Sequence, residues 1–360
     1  SSAFHMPRVY QVNDAAAVNS LCILRLSALG DATHVLPLIR TIQKNLPTCR
    51  ITWILGKGEA KLMEGLDGVE LIAFDKQAGL AGVKALTRTL HGRRFDVLLQ
   101  MQLALRANLI SSVISAKRRI GYDTRRAKEG HGLFINERIR HDKHRVLDVF
   151  GLFAEPLGFQ QTEVVWNMPV PQSAREWAHQ QWPEGMPALL ISPCSSHPIR
   201  NWLPERYAAV ARHAQSKGWQ VVLCGGRSAL ERATGDAIIA DMPDKPIDLI
   251  GKDTLKQLLA LLERADLVMT PDAGPAHMAN AMGSKVLGLY ACTDGSRSGP
   301  YSDMRYSIDH YPQAALQFAG NPATDLPWGK RVEYPGVMAL IGIEEVIACF
   351  ERYRSDHGMA

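Results

Sequence analysis

Short apolar runs alternate with amphipathic stretches along almost the whole chain. In the first half, five runs have the length and apolar content of buried strands: 21–26, 51–55, 69–74, 97–101 and 119–122. Apolar positions at helical spacing lie between these runs, for example over 35–46. Pro47 is expected to end that helix, because proline has no amide hydrogen to donate.

The same alternation restarts in the second half of the chain. Strand patterns are predicted at 188–192, 220–224, 247–250, 267–270 and 285–290. Helical patterns separate them, at 204–217, 229–240, 255–265 and 275–282. Strands that alternate with helices in this way predict parallel sheets joined by right-handed crossovers, and therefore two doubly wound, Rossmann-like α/β domains.

One segment interrupts the alternation and predicts the domain boundary. Residues 162–171 contain Pro169 and Pro171 and have no regular periodicity. We therefore predict a first domain over 1–165 and a second domain over 166–342. The last helical pattern, within 343–360, is expected to cross back and pack on the first domain.

Composition limits the class of protein. A chain of 360 residues with 46% hydrophobic content can form two cores, and no apolar run approaches the ~20 residues of a membrane span. No signal sequence is recognisable, so a cytoplasmic protein is expected; residues 1–6 have the composition of an expression remnant. The six cysteines lack CxxC spacing, which predicts reduced thiols and neither a metal nor a cofactor.

Basic residues are concentrated in one segment of the first half. Residues 117–145 contain ten basic and four acidic side chains, against a net charge of +5 for the whole chain. A solvated loop is the simplest interpretation. Nucleic acid is a poor alternative, because aromatic residues are sparse there and no nucleic-acid motif is present. A phosphate-bearing substrate at an anionic membrane surface is the third possibility.

The strongest chemical motif follows the apolar run at 267–269. Its sequence is DAGPAH, from Asp272 through Ala273 to His277. Gly274 allows a ligand to approach the backbone closely, and Pro275 suits the first turn of a helix. The free amides of that turn attract anions. An aspartate and a histidine beside them predict the phosphate end of an activated-sugar site.

Two further loops follow predicted strands. The loop at 27–30 leads to Asp31, which could be either a catalytic carboxylate or simply a favourable residue at a helix start. The loop at 193–205 offers Ser195, Ser196 and Arg200, and a guanidinium suits phosphate oxygens. No dinucleotide fingerprint or P-loop is present. Loops from both halves are expected to meet at an interdomain cleft.

These motifs resemble the signatures of the glycosyltransferase family 9 heptosyltransferases. The first signature is LRLSALGD at 24–31, with His34 and Pro37 after it, and the third is DAGPAH at 272–277. The similarity extends over nearly the whole chain, through the segments 119–122, 144–146, 195–205 and 343–346. It implies the GT-B fold, with two Rossmann-like domains, and inverting transfer of L-glycero-D-manno-heptose from ADP-heptose to the lipopolysaccharide inner core.

The resemblance also implies residue roles. Asp31 matches the general base, and one group of residues matches the donor site: Ser195, Ser196, Arg200, Asp272, Ala273, Gly274 and His277. Adenosine is expected against 251–255, with Glu231 near the ribose. Basic side chains are expected to hold the phosphorylated acceptor, Kdo–lipid A, at the cytoplasmic face of the inner membrane by peripheral electrostatic contact: Arg106, Arg118, Arg119, Arg125, Arg126 and Lys128. No nucleic-acid partner is expected.

Other functions are compatible with the same architecture. A sugar-nucleotide 2-epimerase would have less need of the Gly30-Asp31 loop and of a basic acceptor segment. A non-catalytic protein that binds nucleotide sugars, including a regulator, would keep 272–277 and tolerate loss of Asp31. Within the family, the acceptor could be Kdo, a first heptose or a branch position; the segment 292–301 resembles the branch that adds the first heptose to a phosphorylated Kdo.

Overall fold

The computed structural model describes residues 18–128 and 130–359; the prediction made for residues 1–6 lies outside them. Six parallel strands form the first sheet: β1 (Ser20–Leu24), β2 (Arg50–Gly56), β3 (Val69–Phe74), β4 (Phe95–Gln100), β5 (Ala116–Gly121) and β6 (Glu137–Arg138). Their order is β3–β2–β1–β4–β5–β6. The central strand β1 is almost entirely buried, as its continuous apolar sequence predicts.

Helices cover the faces of this sheet: α1 (Leu29–Asn45), α2 (Lys57–Met63), α3 (Leu80–Thr89), α4 (Leu105–Ser111) and α5 (Val146–Gly151). α1 begins six residues before its predicted start and contains Pro37. The prediction began too late because the first turn, with Gly30 and Asp31, lacks apolar periodicity. α3 and α4 contribute Leu86 and Ala107 to one hydrophobic cluster, so both pack on the same face.

The second sheet has the same architecture. Its strands are β7 (Ala188–Ile191), β8 (Gln220–Leu223), β9 (Ile247–Asp248), β10 (Leu267–Pro271), β11 (Lys285–Tyr290) and β12 (Ile308–Asp309), in the order β12–β11–β10–β7–β8–β9. The remaining α-helices are α6 (Gln172–His179), α7 (Pro204–Ser216), α8 (Ala229–Ala240), α9 (Leu255–Arg264), α10 (Gly274–Ala281), α11 (Gly295–Ser298), α12 (Tyr311–Ala314) and α13 (Ile343–Asp356).

The chain folds into two compact units. Among the described residues, the first consists of 18–28, 34–128, 130–143 and 147–166. The second contains the described residues 167–359 and two short segments, Leu29–Thr33 and His144–Val146. The first turn of α1 therefore groups with the second unit, although α1 follows a strand of the first sheet.

The C-terminal helix packs on the second unit. Val346, Phe350 and Tyr353 are buried in the core of that unit, and the ring of Phe350 lies 4.8 Å from that of Trp219 in an edge-on arrangement. The expectation that this helix packs on the first domain is wrong. Its buried residues recur at helical spacing and face α7 and β11. Among the described residues, no helix is both long and apolar enough to cross a membrane.

Candidate active site

The motif at 272–277 forms the turn between β10 and α10. α10 begins at Gly274, and its N-cap residue, Ala273, makes no side-chain cap hydrogen bond. Helix amides without a cap are suited to bind an anion. His277 is buried in this helix, and its Nε2 lies 4.0 Å from Oδ1 of Asp272. The strand-to-helix turn thus has the geometry that the sequence predicts.

The first turn of α1 lies against this helix. A Cβ atom on Gly30 would lie 2.6 Å from Cδ2 of His277 and 3.3 Å from Cα of Gly274. Glycine is therefore needed at position 30 for the close approach of these two backbones. Asp31 is the next residue, in the first turn of α1 and partly exposed. The residue before Asp31 therefore lies against the first turn of α10.

The loop after β7 engages its own polar side chains. The Ser195 hydroxyl donates to the His197 carbonyl at 2.9 Å and accepts from the His197 amide at 3.1 Å. Ser196 is exposed. Arg200 is buried, and its Nη2 lies 3.2 Å from Oε1 of Glu333. Ser195 therefore stabilises the loop, whereas the hydroxyl of Ser196 is on the surface and the charge of Arg200 is paired with Glu333.

The loops after β8 and β9 lie close together. Glu231 accepts a hydrogen bond from the Ser228 hydroxyl at 3.1 Å at the start of α8. Its Oε2 would lie 2.6 Å from a Cβ atom on Gly226. Asp253 is buried, and its Oδ2 has no hydrogen-bond partner among residues 18–128 and 130–359. The pKa of Asp253 is raised to about 6, mainly by burial. The negative charge of Glu231 adds to this increase, and the positive charge of Arg227 opposes it.

Asp253→Asn is expected to stabilise the protein at pH 8 by about 1–2 kcal/mol. The carboxylate is costly in the folded state, since its pKa rises from 3.8 to about 6. This cost grows as the pH increases through that interval and is absent below it. Urea unfolding at pH 8 and pH 4 should show the gain only at pH 8. Asp244→Asn, at an exposed position, is the control; equal gains in both variants would contradict the prediction.

Three buried polar groups lie on the elements that flank the motif. They are Oγ1 of Thr270, Nδ2 of Asn280 and the hydroxyl of Tyr290, and none has a hydrogen-bond partner in the described part of the chain. Burial raises the pKa of Tyr290, and the negative charge of Asp272 adds to this. Sequence reasoning missed all three, because Thr270 and Tyr290 lie in apolar strand patterns. Buried groups of this kind usually bind water or a ligand.

The structure divides the six predicted acceptor-binding residues into two sets. Arg118 makes a two-point ion pair with Glu137, at 2.7 and 2.8 Å. Arg119 donates to the carbonyls of Ile114 and Ser111 at 2.6 Å. Arg126 is buried and pairs with Asp123 at 2.9 Å. These three guanidiniums have partners within their own domain, and their role in acceptor binding stays a prediction. The other three residues are exposed: Arg106, Arg125 and Lys128.

A network of buried hydrogen bonds stabilises the loop that carries Arg125 and Lys128. Nε2 of Gln100 donates to Oδ1 of Asn108 at 2.7 Å, and this oxygen also lies 2.8 Å from Nδ1 of His131. The Tyr122 amide donates to Nε2 of His131 at 2.9 Å. His131 is therefore a neutral imidazole with its proton on Nδ1. Burial, together with Arg138, lowers the pKa of His131 to about 4.

His131→Gln is expected to make stability less sensitive to acid. As the pH falls, the unfolded chain binds a proton near pH 6.5, whereas the folded histidine does so near pH 4. The free energy of unfolding therefore decreases as the pH falls from 6.5 to 4, and this histidine costs no stability above pH 6.5. Urea unfolding at pH 7.5 and pH 5 should show a smaller difference for the variant than for the parent. An unchanged difference would contradict a buried neutral histidine.

A cavity of about 1030 Å³ lies elsewhere in the first unit. Its lining includes Ser20, Arg50 and Val69, which are the first residues of β1, β2 and β3. It is therefore at the amino-terminal edge of the sheet, whereas ligands of doubly wound sheets bind at the carboxyl edge. None of the residues predicted for the site is among the described residues that line it.

Comparison with known proteins identifies the family of this chain. Residues 83–318 match the profile of glycosyltransferase family 9 (heptosyltransferase). The lipopolysaccharide core heptosyltransferase OpsX of Haemophilus influenzae is 40% identical over 332 residues, which cover 92% of this chain and 96% of that protein. Lipopolysaccharide heptosyltransferase 3 of Escherichia coli is 26% identical over 288 residues, or 74% of this chain and 80% of its own length.

Solved structures show the same fold. E. coli ADP-heptose lipopolysaccharide heptosyltransferase II superposes with a TM-score of 0.74 at 18% identity, covering 94% of this chain and 99% of that one. A family 9 glycosyltransferase of Veillonella parvula has a TM-score of 0.78 at 19% identity, with 94% and 97% coverage. The predicted GT-B fold is thus confirmed. By its sequence profile and its relatives, this chain belongs to glycosyltransferase family 9 and is a heptosyltransferase.

Proposed function

We propose that this enzyme transfers L-glycero-D-manno-heptose from ADP-heptose to the inner core of lipopolysaccharide, with the Kdo of Kdo–lipid A as acceptor. Its relatives are lipopolysaccharide heptosyltransferases, which supports the substrate class. The observation that carries the mechanism is the contact of Gly30 with His277 and Gly274, since it places the residue next to Asp31 against the first turn of α10.

The chemistry is an inverting displacement in one step. The acceptor hydroxyl oxygen attacks the anomeric carbon, its proton passes to the carboxylate of Asp31, and the bond from that carbon to the phosphate oxygen breaks. Negative charge then develops on the departing ADP. The first-turn amides of α10, Ser196 and the guanidinium of Arg200 stabilise that charge. Asp272 and His277 contact the heptose and diphosphate, and no metal ion or cofactor is required.

The nucleotide and the acceptor bind at separate loops. Adenosine lies against 251–255, and Glu231 accepts a hydrogen bond from the ribose. The exposed cations Arg106, Arg125 and Lys128 attract the phosphates of the acceptor. The same charges hold the enzyme at the cytoplasmic face of the inner membrane, where the lipid-linked acceptor resides.

ADP release tests this proposal. We expect ADP to form from ADP-heptose only when Kdo–lipid A is present, with an unchanged rate in EDTA. Product formation on a heptosylated core but not on Kdo–lipid A would show that the acceptor is a later intermediate of core synthesis. Formation of free ADP without any acceptor is expected of an epimerase-like protein that releases its nucleotide. Donor binding without turnover is expected of a non-catalytic binding protein. Either result would overturn the transferase mechanism.

A further inference from the structure

Four leucine side chains of the first unit are strongly exposed. The exposed fractions are 79% for Leu80, 46% for Leu105, 53% for Leu109 and 87% for Leu133. We call these four residues the leucine patch. Single exposed leucines are common on protein surfaces, whereas several together on one part of the surface indicate a binding surface.

The topology places Leu80 and Leu105 at one edge of the first sheet. Leu80 is the first residue of α3, and Leu105 is the first residue of α4, with Leu109 one turn later. Both helices follow strands of a parallel sheet, β3 and β4, so both begin at its carboxyl edge. They also pack on the same face, because both contribute to one hydrophobic cluster.

Side-chain contacts connect the segments that carry these leucines. Nη1 of Arg106, beside Leu105, donates to the carbonyl of Lys76 in the loop before α3, at 3.3 Å. Asn108, beside Leu109, lies 2.8 Å from His131, which begins the 3-10 turn His131–Leu133. The loop before α3, helix α4 and the Leu133 turn are therefore neighbours.

Positive charge surrounds the same segments. Arg106, Arg125 and Lys128 are exposed in or beside them, and α3 and α4 contain no acidic residue. Apolar side chains next to exposed cations match the two components of an anionic lipid surface, the acyl region and the charged headgroups.

We propose that the leucine patch inserts into the surface of an anionic lipid bilayer and anchors the first unit there. The inference rests on the proposed function, in which a lipid-linked acceptor is bound at this edge, and it adds an apolar anchor to the electrostatic contact. Charge attraction is screened by salt, whereas burial of leucine is not. Binding through both components should therefore weaken at high salt and still be measurable.

Vesicle sedimentation tests the anchor without any substrate. The full chain is mixed with vesicles of phosphatidylcholine and phosphatidylglycerol (7:3) at 0.1 and 0.5 M NaCl. The double variant Leu80→Ser/Leu133→Ser is expected to bind about tenfold more weakly at both salt concentrations, since each leucine transfers apolar area into lipid. Leu316→Ser is the matched control, because Leu316 is 59% exposed in the second unit. It should bind like the parent.

Three results would overturn the proposal. The double variant could bind as tightly as the parent, the parent could fail to bind anionic vesicles, or the parent could form a dimer that the double variant does not form. Thermal unfolding of each variant should match that of the parent. Transfer to a water-soluble acceptor without acyl chains should be unchanged in the double variant. Failure of the anchor is then distinct from failure of the proposed function, which would abolish transfer to both kinds of acceptor.

Discussion

Asp31→Asn is expected to lower turnover by about 10²–10⁴-fold, the range for loss of a general base. Asparagine has nearly the same shape as aspartate and cannot take the proton of the acceptor hydroxyl. Donor binding should be retained, because the proposed contacts with ADP-heptose come from α10 and from Arg200. Single-turnover ADP release and calorimetric titration of the donor measure these two quantities separately.

The control for this substitution is Asp67→Asn. Asp67 is exposed and lines the cavity at the opposite edge of the first sheet, so its substitution should leave turnover unchanged. If Asp31→Asn kept near-normal turnover with normal donor affinity, Asp31 would not be the base. The favourable charge of an acidic residue in the first turn of α1 would then explain its presence.

Arg200→Gln is expected to lower turnover by about 10²-fold and to weaken donor binding, since the variant lacks a positive charge that stabilises the departing diphosphate. Its ion-pair partner, Glu333, also lies 3.8 Å from Arg331, so the substitution does not isolate a carboxylate. Arg200→Lys should restore part of the activity, because it keeps the charge without the two-pronged geometry of the guanidinium.

Arg212→Gln provides the comparison. Arg212, in α7, forms an exposed ion pair with Asp241, which lies 3.0 Å away at the end of α8, and exposed pairs contribute little to stability. Steady-state kinetics with varied ADP-heptose should show parental values for this variant. Parental values in Arg200→Gln as well would exclude Arg200 from the donor site and leave it a structural partner of Glu333.

The regular elements of this protein were largely predictable from local pattern. The helix predicted at 229–240 is observed as Ala229–Ala240, and the strand predicted at 285–290 as Lys285–Tyr290. β6 and β12 were not predicted, because each has two residues, one or both of them charged, and so lacks an apolar run to detect. The position of α13 was predicted incorrectly, since amphipathic spacing shows that a face is buried without showing which core buries it.

The candidate site was predictable only in part. The DAGPAH turn could be predicted because a strand end, a glycine and a helix start are neighbours in sequence. The roles of the residues in the basic segment could not be predicted, because the partner of each arginine depends on how the chain folds back. Arg119 bonds to Ser111, and Arg118 pairs with Glu137 nineteen residues away. Ten basic side chains in one segment therefore look alike until their partners are known.

Sequence alone determined the alternation of strands and helices, the two strand-to-helix motifs and the resemblance to the family. These properties depend on residues within a turn or two of each other, where spacing and residue type act directly. The tertiary structure alone decided that Gly30 contacts His277, that Arg118, Arg119 and Arg126 are occupied within the fold, and that the leucine patch is exposed. Close packing and charge pairing depend on which distant segments meet, and local sequence does not specify that.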